Sequence, residues 1–201
     1  LPLKTEHGGI AMTRNQKGFT LVEIAIVLVI IGLLIGGVLK GQAMIQNAKV
    51  KRVVKSADEI RAAAYTFYDK YGMYPGDENL SNASPGTPPG DNHNGNGNGQ
   101  ITAGGEDAQF FQDLVLAGII SGDYDGAGED SIPNHAFGGK YRVYWVNPGG
   151  GNANYFRYDN LPAEVALEID TKYDDGVYNT GSIRANAAYT GATVAYFYMP
   201  F

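Results

Sequence analysis

The chain of 201 residues has no cysteine and carries 15 Lys and Arg against 21 Asp and Glu, a formal charge of −6. That length suits one core domain with appendages, and the missing cysteines exclude a disulfide framework or a thiolate metal site. The charge is unevenly spread: residues 1–72 hold ten basic and five acidic side chains, residues 73–201 five and sixteen. So acidic a distal part would repel phosphate, which argues against nucleic acid as a partner.

The first element in chain order is an apolar run. Phe19 to Val38 gives twenty residues, about 30 Å as a helix and enough to cross a bilayer. Lys4, Arg14 and Lys17 precede it, as in an ordinary secretory signal, and Gly41-Gln42-Ala43 offers that signal a small-x-small cleavage site. An ordinary signal, however, gains nothing from Glu23 at the head of its apolar core, where a charge in lipid is costly. Lys40, Lys49, Lys51, Arg52 and Lys55 follow the span and balance the basic leader, so the distribution of positive charge does not set the orientation.

Beyond the span, Val53, Ala57, Ile60, Ala64, Phe67 and Tyr71 recur at spacings of four and three, one apolar face of a helix. No proline interrupts residues 19–74, and Pro75-Gly76 ends the pattern. The expectation is one helix of about fifty residues, with residues 19–38 as its membrane half and 39–74 as an amphipathic stem. Gly32, Gly36, Gly37 and Gly41 allow close helix packing within it. Tyr65, Phe67, Tyr68, Tyr71 and Tyr74 crowd the far end, where packing on a sheet explains them more simply than an electron-hopping stripe.

Residues 75–201 read as a soluble head. A Pro/Gly/Asn/Ser loop covers residues 79–105, and a short amphipathic helix follows over 107–120. YRVYWV (141–146) and NYFRY (154–158) have strand composition, and LPAEVALEIDTKY (161–173) has helical spacing. SIRANAA and ATVAYFYM form an expected final hairpin around Tyr189-Thr190-Gly191. Together these predict an α+β fold, a long N-terminal helix packed on a small antiparallel sheet of about four strands.

Three head loops alternate oxygen-bearing side chains with glycine. Asn94, Asn96 and Asn98 stand two apart before Gly99 and Ile101, close to the first half of an EF-hand loop, but Gly105 falls where the bidentate acid belongs and Glu106 comes one later. Asp123, Asp125 and Asp130 surround Gly126 and Gly128, and Asp170, Asp174 and Asp175 form a third group. Calcium is the ligand these would take, and plain turn formation is the alternative. The three histidines, His7, His93 and His135, lack metal spacing, and no nucleophile elbow or phosphate loop occurs, so no enzyme is expected.

Lys17 followed by Gly18-Phe19-Thr20-Leu21-Val22-Glu23 and an unbroken apolar helix resembles the prepilin peptidase site of type IV pilins and type II secretion pseudopilins. The resemblance implies cleavage between Gly18 and Phe19, N-methylation of Phe19, and a head of pilin-like α/β roll architecture. It implies an inner-membrane precursor with a periplasmic head, and then a homo-oligomeric filament as a pilus or a secretion pseudopilus. Its partners would be the prepilin peptidase, the inner-membrane assembly machinery and membrane lipid. Residues 1–18 would be the leader, and a start at Met12 would shorten it to MTRNQKG, leaving residues 1–11 as an upstream extension. Glu23 would neutralise the new amine of Phe19, in the same chain or in a neighbouring subunit. The competing reading is a secreted or anchored calcium-dependent binding module with an ordinary signal.

Overall fold

In the computed structural model, residues 18–80 and 95–201 are described, and the chain divides into two compact units, Leu1–Ile45 and Gln46–Phe201. Helix α1 covers Leu21–Tyr71. It passes through Gly32, Gly36, Gly37 and Gly41 without a break, because the surrounding Leu, Ile, Val and Ala sustain the backbone hydrogen bonds that glycine alone weakens.

In the first unit, the apolar side chains of α1 are exposed on every side. An 18-residue window reaches a mean hydropathy of 2.9 with none of it buried within the chain, long and apolar enough to cross a membrane.

In the second unit, α1 buries Val50, Val53, Ala57, Ile60, Ala63, Ala64 and Phe67. This is the face expected from the three-and-four spacing, except that Tyr71 is only half-buried. The helix ends at Tyr71, three residues before the expected stop. Gly72 follows in the left-handed region (φ 78°) and its N–H donates to the carbonyl of Tyr68.

The sheet that covers this face has four antiparallel strands, β1 (Tyr141–Val146), β2 (Ala153–Pro162), β3 (Arg184–Ala185) and β4 (Thr193–Pro200), in the order β1-β2-β4-β3. Register aligns Tyr141, Tyr158, Phe197 and Ala185 in one buried row across all four strands, and Val143, Phe156 and Met199 in the next. Because side chains alternate, the rows between them lie on the other face; one runs Arg142, Arg157, Tyr198, Arg184. Tyr158 also donates its hydroxyl to the Val53 carbonyl of α1 at 3.0 Å, and Arg61 of α1 donates to the Pro200 carbonyl at 2.6 Å. Strands and stem are therefore joined by hydrogen bonds as well as by apolar packing.

Other element boundaries also differ from the sequence expectation, and those of α2, α3 and β3 do so for local reasons. Helix α2 spans Glu106–Leu116 rather than 107–120. Gly118 (φ 71°) stops it in a Schellman turn: its N–H donates to Val115 and that of Ile119 to Leu114. Helix α3 starts at Ala163, two residues late, because Leu161 and Pro162 pair with Val194 and Thr193 of β4. Strand β3 is only two residues long. Asn186 caps the hairpin there, its side-chain oxygen accepting from the Tyr196 N–H at 2.8 Å.

The chain's closing segment is held without any covalent link. The ring of Phe201 lies against Tyr65, Tyr74, Phe110 and Phe156, with centroids 5.3–6.2 Å apart. Of the stem-end tyrosines expected to pack on the sheet, Tyr65 and Tyr74 meet Phe201, but Tyr65 and Tyr68 remain exposed.

Candidate functional site

Gly18 and Phe19 precede α1, and Phe19 is 83 % exposed. Thr20 caps the helix. Its hydroxyl accepts from the Glu23 N–H at 3.2 Å, while the Glu23 carboxylate accepts from both the N–H and the hydroxyl of Thr20 at 2.8 Å. This reciprocal pair is a capping box, which satisfies two N–H groups that the start of a helix leaves without partners. It also folds the Glu23 side chain back to the residue that follows Phe19. The box is legible in the sequence as Thr-x-x-Glu before an apolar run, a role for Glu23 additional to the expected pairing with an amine.

The glycines of this unit have open surroundings. A Cβ built on Gly18, Gly32, Gly36, Gly37 or Gly41 would meet nothing within 4 Å. Among the described residues, no close helix contact uses them.

In the second unit, the oxygen-rich loops separate into different roles. Asn94 lies outside the described residues. Asn96 accepts from the Asn98 N–H at 3.1 Å and donates to Glu106 at 3.0 Å, and Asn98 accepts from the Gln100 N–H at 2.8 Å. The buried Asp77 carboxylate accepts from the N–H groups of Asn98 and Gly99. Both asparagine oxygens therefore serve the turn itself. Asp125 accepts from the Ser131 hydroxyl and, less strongly, from the Ala127 N–H, and these bonds hold its carboxyl below the usual carboxylate range. Among the described residues, Asp123, Asp125 and Asp130 do not bring three oxygens together. Asp170, Asp174 and Asp175 do, within 4.8 Å.

That trio also organises its own loop. Asp170 accepts from Gly176 N–H and the Tyr189 hydroxyl, Asp174 from the N–H groups of Ser182 and Ile183, and Asp175 from Val177 N–H and the Thr180 hydroxyl. Burial pushes the Asp170 carboxyl above its ordinary value against the pull of these donors, and the nearby Asp175 and Asp174 charges push the same way.

An ion-pair network absent from the sequence reading closes the other face of the sheet. Arg142 reaches Asp107 at 3.0 Å, Glu129 at 2.7 Å and Asp159 at 3.2 Å. Arg157 donates to Asp159 and to the Tyr144 hydroxyl, and its guanidinium lies over the rings of Tyr144 and Tyr196. These partners neutralise two arginines that stand directly opposite each other in the β1–β2 register.

Comparison with known proteins adds two findings. A family profile described as "Prokaryotic N-terminal methylation motif" matches residues 13–39. Over 172 residues the chain is 35 % identical to the type IV major pilin protein PilE1 of Neisseria gonorrhoeae, covering 81 % of this chain and 93 % of that one. No solved structure matches.

Proposed function

The chain belongs to the type IV pilin family, and on that premise we propose that it is a precursor cut between Gly18 and Phe19, N-methylated on Phe19 and polymerised through the first part of α1. The observation that carries this reading is the uncovered apolar helix that begins with the Thr20–Glu23 box. Apolar side chains over so long a stretch require a bilayer in the precursor and neighbouring copies in a filament. The glycines along it are open to a neighbouring helix. Cleavage would place a positive amine on Phe19, at the positive end of the helix dipole, where a carboxylate folded back from Glu23 offsets it. In the membrane the head faces the periplasm. The likeness to a major pilin extends well beyond the N-terminal motif, which favours a surface pilus over a secretion pseudopilus.

Glu23→Ala tests the assembly role. The variant is expected to be processed and inserted normally but to yield few filaments in a shear preparation, while Glu23→Asp recovers part of the yield. Wild-type yield from Glu23→Ala would remove the role.

Calcium in the head is a second proposal, supported by the oxygens of Asp170, Asp174 and Asp175 lying within 4.8 Å of one another. Carboxylate oxygens suit a hard cation. A calcium-dependent rise in the melting temperature of the full chain in micelles, abolished by Asp174→Asn, would support it. No shift at millimolar calcium would exclude it.

A further inference from the structure

The structure assigns Asn98-Gly99 as a site of self-catalysed succinimide formation, at which the head converts a neutral amide into aspartyl and isoaspartyl carboxylates. Four groups that this reaction needs are already in place: a nucleophile, a base, an electrophile and a donor to the developing oxyanion. The nucleophile is the backbone nitrogen of Gly99, whose N–H donates to Asp77 Oδ2 at 2.7 Å. The electrophile is Asn98 Cγ, and its Oδ1 accepts from the Gln100 N–H at 2.8 Å, a donor placed where negative charge develops during attack. An Asx turn of this kind curls the side chain forward over the following peptide. Glycine after the asparagine removes the Cβ that would obstruct the approach, and Gly99 itself has nothing within 4 Å of a built Cβ.

The proton and bond changes balance within these groups. Asp77 takes the proton from Gly99 N as that nitrogen bonds to Asn98 Cγ. The tetrahedral oxyanion collapses, the Cγ–Nδ2 bond breaks, and the proton passes from Asp77 to the departing nitrogen, which leaves as ammonia. Water then opens the five-membered imide. Attack at Cγ gives aspartate, and attack at the main-chain carbonyl gives the isoaspartyl link. Asp77 is regenerated, and no oxidant or metal takes part. Desolvation raises the pKa of the buried Asp77 carboxylate, which makes it a better base than an exposed one.

The neighbouring Asn96-Gly97 pair is an internal control with the same local sequence. Its nucleophile, the Gly97 N–H, donates to the backbone carbonyl of Asp77, which is no base. Its amide nitrogen is held by Glu106. Asn98 is exposed to water, and among the described residues nothing accepts from its Nδ2. Ring closure removes the Gly99 hydrogen that Asp77 binds, and hydrolysis restores it but leaves a new carboxylate beside Asp77, which the Asp77 charge repels. Each converted head therefore becomes more acidic and loses part of its 95–99 turn, so the modification records the age of a subunit.

The test is peptide mapping with isoaspartyl detection on the full chain in micelles, incubated near neutral pH, folded and in denaturant. Folded chain should convert Asn98 roughly tenfold or more faster than Asn96, the scale of a modest positioned base. In denaturant the two should converge. Asp77→Asn in a chain that retains the native circular dichroism should erase the difference. Asn96 converting as fast as Asn98 in the folded chain would overturn the assignment. So would Asn98 reacting no faster folded than unfolded, or an unchanged Asn98 rate in folded Asp77→Asn.

Discussion

Residues 21–45 and 46–71 belong to one helix, yet their apolar side chains meet different surroundings. In the first stretch Leu21 is 91 % and Ile30 50 % exposed, whereas in the second Phe67 and Ala64 are fully buried. Composition explains the contrast. The second stretch confines its apolar residues to one face, which a single sheet can cover. The first is apolar all round, and no single surface of the same chain could cover it. The second stretch therefore obtains its stability within the chain. On the proposed reading, the first obtains it from lipid and then from other copies.

Paired substitutions sharpen that contrast most. Phe67→Ala should lower the head's unfolding free energy by about 3–5 kcal/mol, as expected for a large ring removed from a packed core. Ile30→Ala should leave it unchanged and act only on membrane insertion or assembly. Urea denaturation of both variants in micelles measures this, and equal effects on the head would break the comparison. Arg142→Ala should cost about 3 kcal/mol, because Asp107 would keep its burial and lose its counter-ion, while Asp159 would be left with Arg157 alone. Melting curves of the variant check that loss, and Arg142→Lys should recover only part of it, since one ammonium cannot fork to three acids.

The smallest effect concerns pH. The neutral ring of His135 is fully satisfied: Nε2 lies 2.9 Å from the Asp159 carbonyl, and Nδ1 accepts from the Phe137 N–H. Burial holds its pKa below 6.5, outweighing the hydrogen bond to Asp159 and that residue's charge. The unfolded chain therefore takes up a proton first. The stabilisation is complete above about pH 6.5 and is lost as pH falls from there towards the folded pKa. Asp77 and Asp170, raised by burial, act in the opposite sense, gaining stability as pH falls towards 3.8. His135→Phe should flatten the melting temperature between about pH 7 and about pH 5. An unaltered slope would contradict the assignment.

The stem was legible because its signal is local: the spacing of Val53, Ala57, Ile60, Ala64 and Phe67 is itself the buried face. The sheet was legible as strands, but β3 shrank to two residues because Asn186 closes the hairpin, a side-chain bond that strand composition does not encode. Helix α3 started late because Leu161 fitted a helical spacing while pairing with Val194 as strand. The Arg142 network was invisible for another reason. Its acids lie 35, 13 and 17 residues away and meet only after α2, the turn at Glu129 and β2 are in place. The N-terminal site lies at the opposite extreme. Gly18, Phe19, Thr20 and Glu23 fall within six residues, and both the processing motif and the capping box can be read from them.

The central claim is that residues from Phe19 onward form an assembly element released by a cut after Gly18. Mass analysis of the N-terminal peptide of the chain recovered from cells making prepilin peptidase tests it most directly. A single mature start at methylated Phe19 is expected, with unprocessed chain when the peptidase is absent. A mature start near Met44 or Ile45, independent of that peptidase, would contradict it and make the apolar run an ordinary export signal.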